Sequence, residues 1–153
     1  MIPKKFFVTS GKALSTVSKL NAFDLALKKA GISQCNLVKV SSIIPQNCKE
    51  VEVEALPIGA ITYVVMARMD GEEGTEIGAG IAWAYEKDGL YGIVAEAHGY
   101  MEEKALKEIL EWKIEEMAKI REIELGRIEY RMENMVVPMD HYGCVLATLV
   151  YLF

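Results

Sequence analysis

Two adjacent serines, Ser41 and Ser42, close the apolar run that begins at Asn36 and ends at Pro45. Leu37, Val38 and Val40 favour a strand, and Pro45 cannot donate to a central ladder. The pair is therefore expected where an extended segment stops and the backbone changes direction. Chemistry is common at such places, although two serines also begin ordinary turns. What a serine pair can do there without a histidine is rearrange the main chain. One hydroxyl attacks the carbonyl of the preceding residue, and the amide becomes an ester. β-Elimination then breaks the chain, and hydrolysis with loss of ammonia leaves the second residue as an N-terminal pyruvoyl group. A ketone at that position condenses with amines and draws electrons, as a lysine-bound cofactor would.

Glu96 is the second feature. It follows Gly92-Ile-Val-Ala95 and precedes Ala97, so an acid stands inside an apolar strand. Such a carboxyl is expected at a pocket wall or buried, with its pKa raised, where it could deliver a proton near neutral pH. The wet end of a strand is the plain alternative. His98 shares a strand face with Glu96 by the period of two. A hydrolase triad could be drawn from Ser41 or Ser42, His98 or His141, and Asp24 or Glu96. No G-x-S-x-G elbow is present, so that chemistry is disfavoured.

The elements that must position these residues follow in order. Phe6 to Val8 reads as a short strand, with a turn at Ser10-Gly11 and a loop to Leu20. Phe23, Ala26, Leu27 and Ala30 mark one helix face, with Asn21 as N-cap and Gly31 as the stop. Asp24 then falls in the first turn, where a carboxylate suits the helix dipole and could bond back to the cap. Val51 to Glu54 alternates like an edge strand. Ile61–Arg68, Ile77–Tyr85 and Leu90–Ala97 read as strands, the last two joined by a turn at Glu86-Lys-Asp-Gly89. Gly78 and Gly80 permit close approach of another backbone or a ligand. Met101 to about Ile123 carries one apolar stripe and is the clearest helix. Glu129 to Val137 and the apolar Cys144 to Leu152 complete the strands. Two helices and about six to eight strands make an α+β fold with antiparallel or mixed sheets and helices outside.

Composition narrows the function. A chain of 153 residues with 52% hydrophobic content is one domain with a packed core. A net charge of -5 argues against a nucleic-acid surface, though an acidic pocket would favour a cationic substrate. Cys35, Cys48 and Cys144 are odd in number and widely spaced, which fits neither a disulfide framework nor a zinc knuckle. Two histidines are too few for a multi-histidine metal centre. The N-terminal apolar run is too short for a signal peptide, and no run of about 18 apolar residues occurs. A soluble cytoplasmic protein, away from membranes, is expected.

Three blocks, Leu20 to Asp24, Ala30 to Pro45 and Gly92 to Glu96, lie in an order and spacing that resemble the pyruvoyl-dependent arginine decarboxylases. Leu56-Pro-Ile-Gly-Ala60 and the tail from Gly143 also fit, so the resemblance covers nearly the whole chain. It implies self-cleavage of the single domain 1–153 between Ser41 and Ser42 into 1–41 and 42–153. It also implies a covalent pyruvoyl group derived from Ser42 and conversion of L-arginine to agmatine and CO2 in polyamine synthesis. Asn36 matches the residue that serves processing and substrate placement. Asp24 matches the acid that pairs with the substrate guanidinium, and Glu96 matches the catalytic acid. The implied fold is an αββα sandwich of two sheets flanked by helices, assembled as homotrimers, or pairs of trimers, with sites between neighbours. No role for His98 carries over, and the N-terminal arm is short. The alternatives are decarboxylation of another amino acid, or an unprocessed, inactive relative that serves as a binding or assembly subunit.

Overall fold

The computed structural model describes residues 1–153. Its first strand, β1 (Lys5–Ser15), runs straight through Ser10 and Gly11, where a turn and a loop were expected. The small residues there serve packing instead. A Cβ on Gly11 would lie 2.2 Å from the Ala26 carbonyl oxygen, so only glycine lets a helix lie so close. That helix is α1 (Lys19–Ala30), which presses Ala22, Ala26 and Ala30 onto the sheet. Its cap is Ser18, whose hydroxyl oxygen accepts from the Asn21 amide at 3.1 Å, and not Asn21 as expected. Asp24 therefore lies beyond the first turn and makes no bond back to a cap. Gly31 ends the helix in the left-handed region at φ 82°, as its position predicts.

The next strands are β2 (Asn36–Lys39), β3 (Ile43–Ile44), β4 (Lys49–Glu50) and β5 (Ile61–Glu72). The expected edge strand at Val51–Glu54 is absent, and pairing stops after Glu50 apart from a Val51 amide bond to the Phe6 carbonyl. β6 (Glu76–Tyr85) and β7 (Gly92–Gly99) form the expected hairpin, with Gly89 at φ 77° in its turn. Then come α2 (Glu103–Ile120), β8 (Glu129–Val136) and β9 (Tyr142–Leu152). The strands exceed the expected number because β3 and β4 are pairs of residues too short to show a period.

Five strands form a mixed sheet in the order β2-β5-β9-β1-β4, and four form an antiparallel sheet in the order β3-β7-β6-β8. α1 packs outside the first sheet and α2 outside the second, giving an αββα sandwich. Each layer boundary has its own core. Phe7, Ala26 and Leu146 lie under α1, while Phe6, Ile81 and Leu149 lie between the sheets. Leu106, Leu110 and Ile114 of α2 meet Ala82, Ile93 and Ala95. Each of these fully buried large side chains of α2 is worth about 1.5–3 kcal/mol over exposure. Gly80 serves this contact. A Cβ there would lie 2.8 Å from the Met132 side chain and 3.0 Å from a Leu110 methyl, so the close neighbours permitted at Gly80 are β8 and α2. No helix is long and apolar enough to cross a membrane.

Candidate active site

Ser41 and Ser42 lie where the chain leaves one sheet and joins the other. β2 is an edge of the five-stranded sheet, and β3 is an edge of the four-stranded sheet. The Val40 amide donates to the Val64 carbonyl at 2.8 Å, which fastens the upstream side to β5. The Ser42 carbonyl accepts from the Val94 amide at 2.9 Å, which fastens the downstream side to β7. The peptide bond between the serines thus spans two anchors on different sheets. The run ends as a strand before Val40, earlier than Pro45 suggested, because the crossover intervenes. Ser41 is exposed, Ser42 is half-buried, and neither hydroxyl is engaged in a hydrogen bond. The Ser42 oxygen is therefore unencumbered for attack on the neighbouring carbonyl.

Ser42 opens onto a groove of about 330 Å³, lined also by Val94, Glu96, Trp112, Lys113 and Met117. The pairing of β3 with β7 brings Ser42 and Glu96 to this one groove. Along β7, Ile93, Ala95 and Ala97 face α2, whereas Val94 belongs to the core between the sheets. By the period of two, Glu96 and His98 share the face of Val94. Glu96 is a groove-wall residue but is exposed, so the expected burial inside an apolar strand is not met by the single chain. His98 is exposed on the same face. Lys113 donates to the Glu96 main-chain carbonyl at 3.1 Å, tying α2 to this part of β7. Trp112 and Ile120 stand 65% and 80% exposed beside the groove, large apolar surfaces that the stripe pattern of α2 did not single out.

Asp24 and Asn36 lie elsewhere in the same chain. Asp24 is exposed on α1, outside the five-stranded sheet. Its neighbour Phe23 carries the Arg68 guanidinium 3.5 Å over its ring, and Arg68 makes two hydrogen bonds to Asp70 at 2.8 and 2.9 Å. That cluster docks α1 on β5 and leaves the Asp24 carboxylate free. Asn36 starts β2 and donates to the Gly59 carbonyl at 3.0 Å. Only Asn36–Lys39 of this stretch is extended strand, the chain bends at Ser42, and Asn36 does not line the groove onto which Ser42 opens.

Two tyrosines that the sequence did not mark brace the segment after Ser42. The Tyr151 hydroxyl donates to the Ile43 carbonyl at 2.5 Å, and the Tyr85 hydroxyl donates to the Cys48 carbonyl. Their one sequence signal is a phenol inside an apolar strand, since a buried hydroxyl needs a partner. Val40 and Ile43, either side of the serines, border a second cavity of about 450 Å³ with Tyr63, Tyr151 and Phe153.

The chain matches, over residues 5–153, the family model described as pyruvoyl-dependent arginine decarboxylase. It is 34% identical over 150 residues to a pyruvoyl-dependent arginine decarboxylase of Thermococcus kodakarensis, covering 97% of this chain and 94% of the relative. A second relative of that description, from Methanothermobacter thermautotrophicus, is 36% identical over 155 residues with 99% of each chain covered. Among solved structures, a pyruvoyl-dependent histidine decarboxylase superposes with a TM-score of 0.53 at 14% identity. That likeness covers 64% of this chain and 53% of the neighbour, and it concerns the fold alone.

Proposed function

The chain belongs to the pyruvoyl-dependent arginine decarboxylase family, and from that membership we propose that it cuts itself between Ser41 and Ser42 and then converts L-arginine to agmatine and CO2. The observation that carries the reading is the crossover. Ser42 is seated by the Val94 amide beside Glu96, with a free hydroxyl next to the Ser41 carbonyl.

The Ser42 hydroxyl attacks the Ser41 carbonyl carbon, the C–N bond breaks and the amine takes the proton. Removal of the Ser42 α-proton then expels the Ser41 carboxylate. Water replaces ammonia and leaves a ketone at residue 42. The negative charge that develops when the α-proton leaves is shared with the Ser42 carbonyl oxygen. The Val94 amide already points at that oxygen, so its dipole opposes no reorganisation. The residues present fit a pyruvoyl group at this position, since a half-buried residue with its carbonyl held and its side chain unpartnered can lose its hydroxyl without breaking any contact. When in place, the group supplies a carbonyl for the substrate amine and an electron sink for its α-carbon. Glu96, at the same groove, holds the proton that the α-carbon receives after CO2 leaves. The apolar wall of Val94 and Met117 disfavours the charged substrate carboxylate relative to neutral CO2.

Asp24 is assigned to the substrate guanidinium, which a carboxylate meets with two charge-assisted hydrogen bonds. Asn36 is assigned to processing and substrate placement. Neither lines the groove of Ser42 and Glu96 in the single chain, and both are exposed. A homotrimer, alone or paired, is proposed, with each site between neighbouring protomers so that a second chain completes the groove. The exposed Trp112 and Ile120 beside the groove offer apolar surface for such a contact. The enzyme is placed in the cytoplasm, where arginine is available.

Denaturing mass spectrometry of the purified protein is the test, paired with CO2 release across a panel of amino acids. Fragments 1–41 and 42–153, with arginine the preferred substrate, are expected. Ser42→Ala should remain one chain and release no CO2. An active, uncut Ser42→Ala chain would overturn the mechanism.

A further inference from the structure

The chain downstream of Ser42 is held by an edge strand of two residues, and that strand has an unusual second support. In an antiparallel pair, alternate residues turn their main-chain polar groups toward the partner strand. Ser42 turns its carbonyl to Val94, so Ile43, paired with Ile93, turns its carbonyl away from β7. At an open sheet edge that acceptor would be left to solvent. Here the Tyr151 hydroxyl reaches it from β9 of the other sheet, at 2.5 Å. The Tyr151 ring is 5% exposed and wedged in the core between the sheets, so its hydroxyl has little freedom to leave. Burial pushes the Tyr151 phenol well above its usual range and the Tyr85 phenol to about 12. Both remain donors at any physiological pH.

We propose that Tyr151 is a positioning residue for the processed terminus: through the Ile43 carbonyl, its hydroxyl keeps residue 42 seated on β7 after the bond to Ser41 is gone. The proposal rests on the self-cleavage reading and goes beyond it. In the uncut chain residue 42 is restrained from both sides, by Val40 on β5 and by Val94 on β7. Cleavage removes the upstream restraint. A new chain terminus beside a two-residue strand frays unless something ties it down. The Tyr151 hydrogen bond therefore matters more after the cut than before it. That asymmetry separates positioning from general stabilisation. The Tyr85 bond to Cys48 lies five residues further on and is a natural control, since it is the same kind of phenol-to-carbonyl bond across the same sheets.

The experiment compares wild type, Tyr151→Phe and Tyr85→Phe. Each is studied as the processed protein and in a Ser42→Ala background that stays whole. Amide hydrogen exchange over residues 43–48 is read by mass spectrometry, alongside cleavage, kcat and KM for arginine. Tyr151→Phe should still cleave. Loss of one hydrogen bond of ordinary strength corresponds to about a tenfold change. Exchange in the processed protein should therefore accelerate about tenfold, but by less than about threefold in the uncut background. The kcat should fall about tenfold while KM moves less than about threefold, because the guanidinium contact is untouched. Tyr85→Phe should leave kcat within about twofold. Wild-type-like exchange and kcat in processed Tyr151→Phe overturn the inference alone. So does an equal acceleration in both backgrounds, or an equal loss from Tyr85→Phe. A wild-type chain that stays whole overturns the cleavage reading and this inference with it.

Discussion

The Val94 amide donates to the Ser42 carbonyl at 2.9 Å, two residues before Glu96 on the same strand. One hydrogen bond thus ties Ser42 to the strand that carries Glu96. Glu96 lies on β7, and Ser42 lies in the crossover just before β3, held to β7 by that bond. Chemistry that needs a proton delivered to one carbon benefits from such a tie.

Glu96→Gln separates proton delivery from chain cleavage. The amide fills the same volume at the groove but has no carboxyl proton to give. Two fragments should still appear by denaturing mass spectrometry, while CO2 release from arginine falls by about 100-fold or more. Activity close to wild type would assign the proton to another group.

Asp24→Ala tests the guanidinium contact. The side chain is exposed and carries no cap bond, so the helix should lose little stability, within about 0.5 kcal/mol. Cleavage should be complete, and calorimetry should find agmatine bound about ten- to 100-fold more weakly, as for loss of a charge-assisted pair. Unchanged agmatine affinity would leave Asp24 without a role at the site.

Gly11→Ala tests the close packing of α1. The new methyl would collide with the Ala26 carbonyl, a main-chain atom that cannot rotate away. Overpacking of this kind costs about 1–3 kcal/mol, and a loss of that size lowers Tm by about 2–4 °C per kcal/mol in a chain this long. Because α1 carries Asp24, weaker arginine binding should accompany the lower Tm. Scanning calorimetry and a KM measurement check both.

Alkaline solution should destabilise the fold through three acids, two buried and one half-buried. Burial raises the Cys144 thiol from 9.0 to about 12, Tyr85 from 10.0 to about 12, and Tyr151 further in the same direction. Above their ordinary pKa values the unfolded chain gives up these protons while the folded chain keeps them. The unfolded state then binds fewer protons, and stability falls as pH rises. The Tm should be flat near pH 8 and decline from about pH 9 toward pH 12. Cys144→Ala should flatten the first part of that decline.

The sequence made some of this legible and hid the rest for physical reasons. The Gly31 stop, the α2 stripe and the β6–β7 hairpin depend on local backbone preference and local period, and all three are found. β1 was read too short because Gly11 and Ala13 look like loop residues. They are small to admit α1, a reason visible only once the helix is placed over them. The cap moved from Asn21 to Ser18 because the first turn, with Leu20 70% exposed, shows no apolar period to mark its start. At the site, the residue types at Ser42 and Glu96 were readable, but their meeting depends on β3 pairing with β7, and a two-residue strand has no sequence signature. Tyr151 was missed for the same reason, since its partner is a main-chain carbonyl far away in the chain.

The strand order also bears on when the proposed self-cleavage could begin. β9 lies between β5 and β1, so the five-stranded sheet has a gap until Tyr142–Leu152 has emerged. The crossover at Ser41-Ser42 takes its geometry from β5 on one side and from β7 and Tyr151 on the other. A nascent chain halted before Tyr142 has no closed five-stranded sheet to support the β5 side of the crossover. On the self-cleavage reading, fragments that end before Tyr142 are expected to stay whole at Ser41-Ser42.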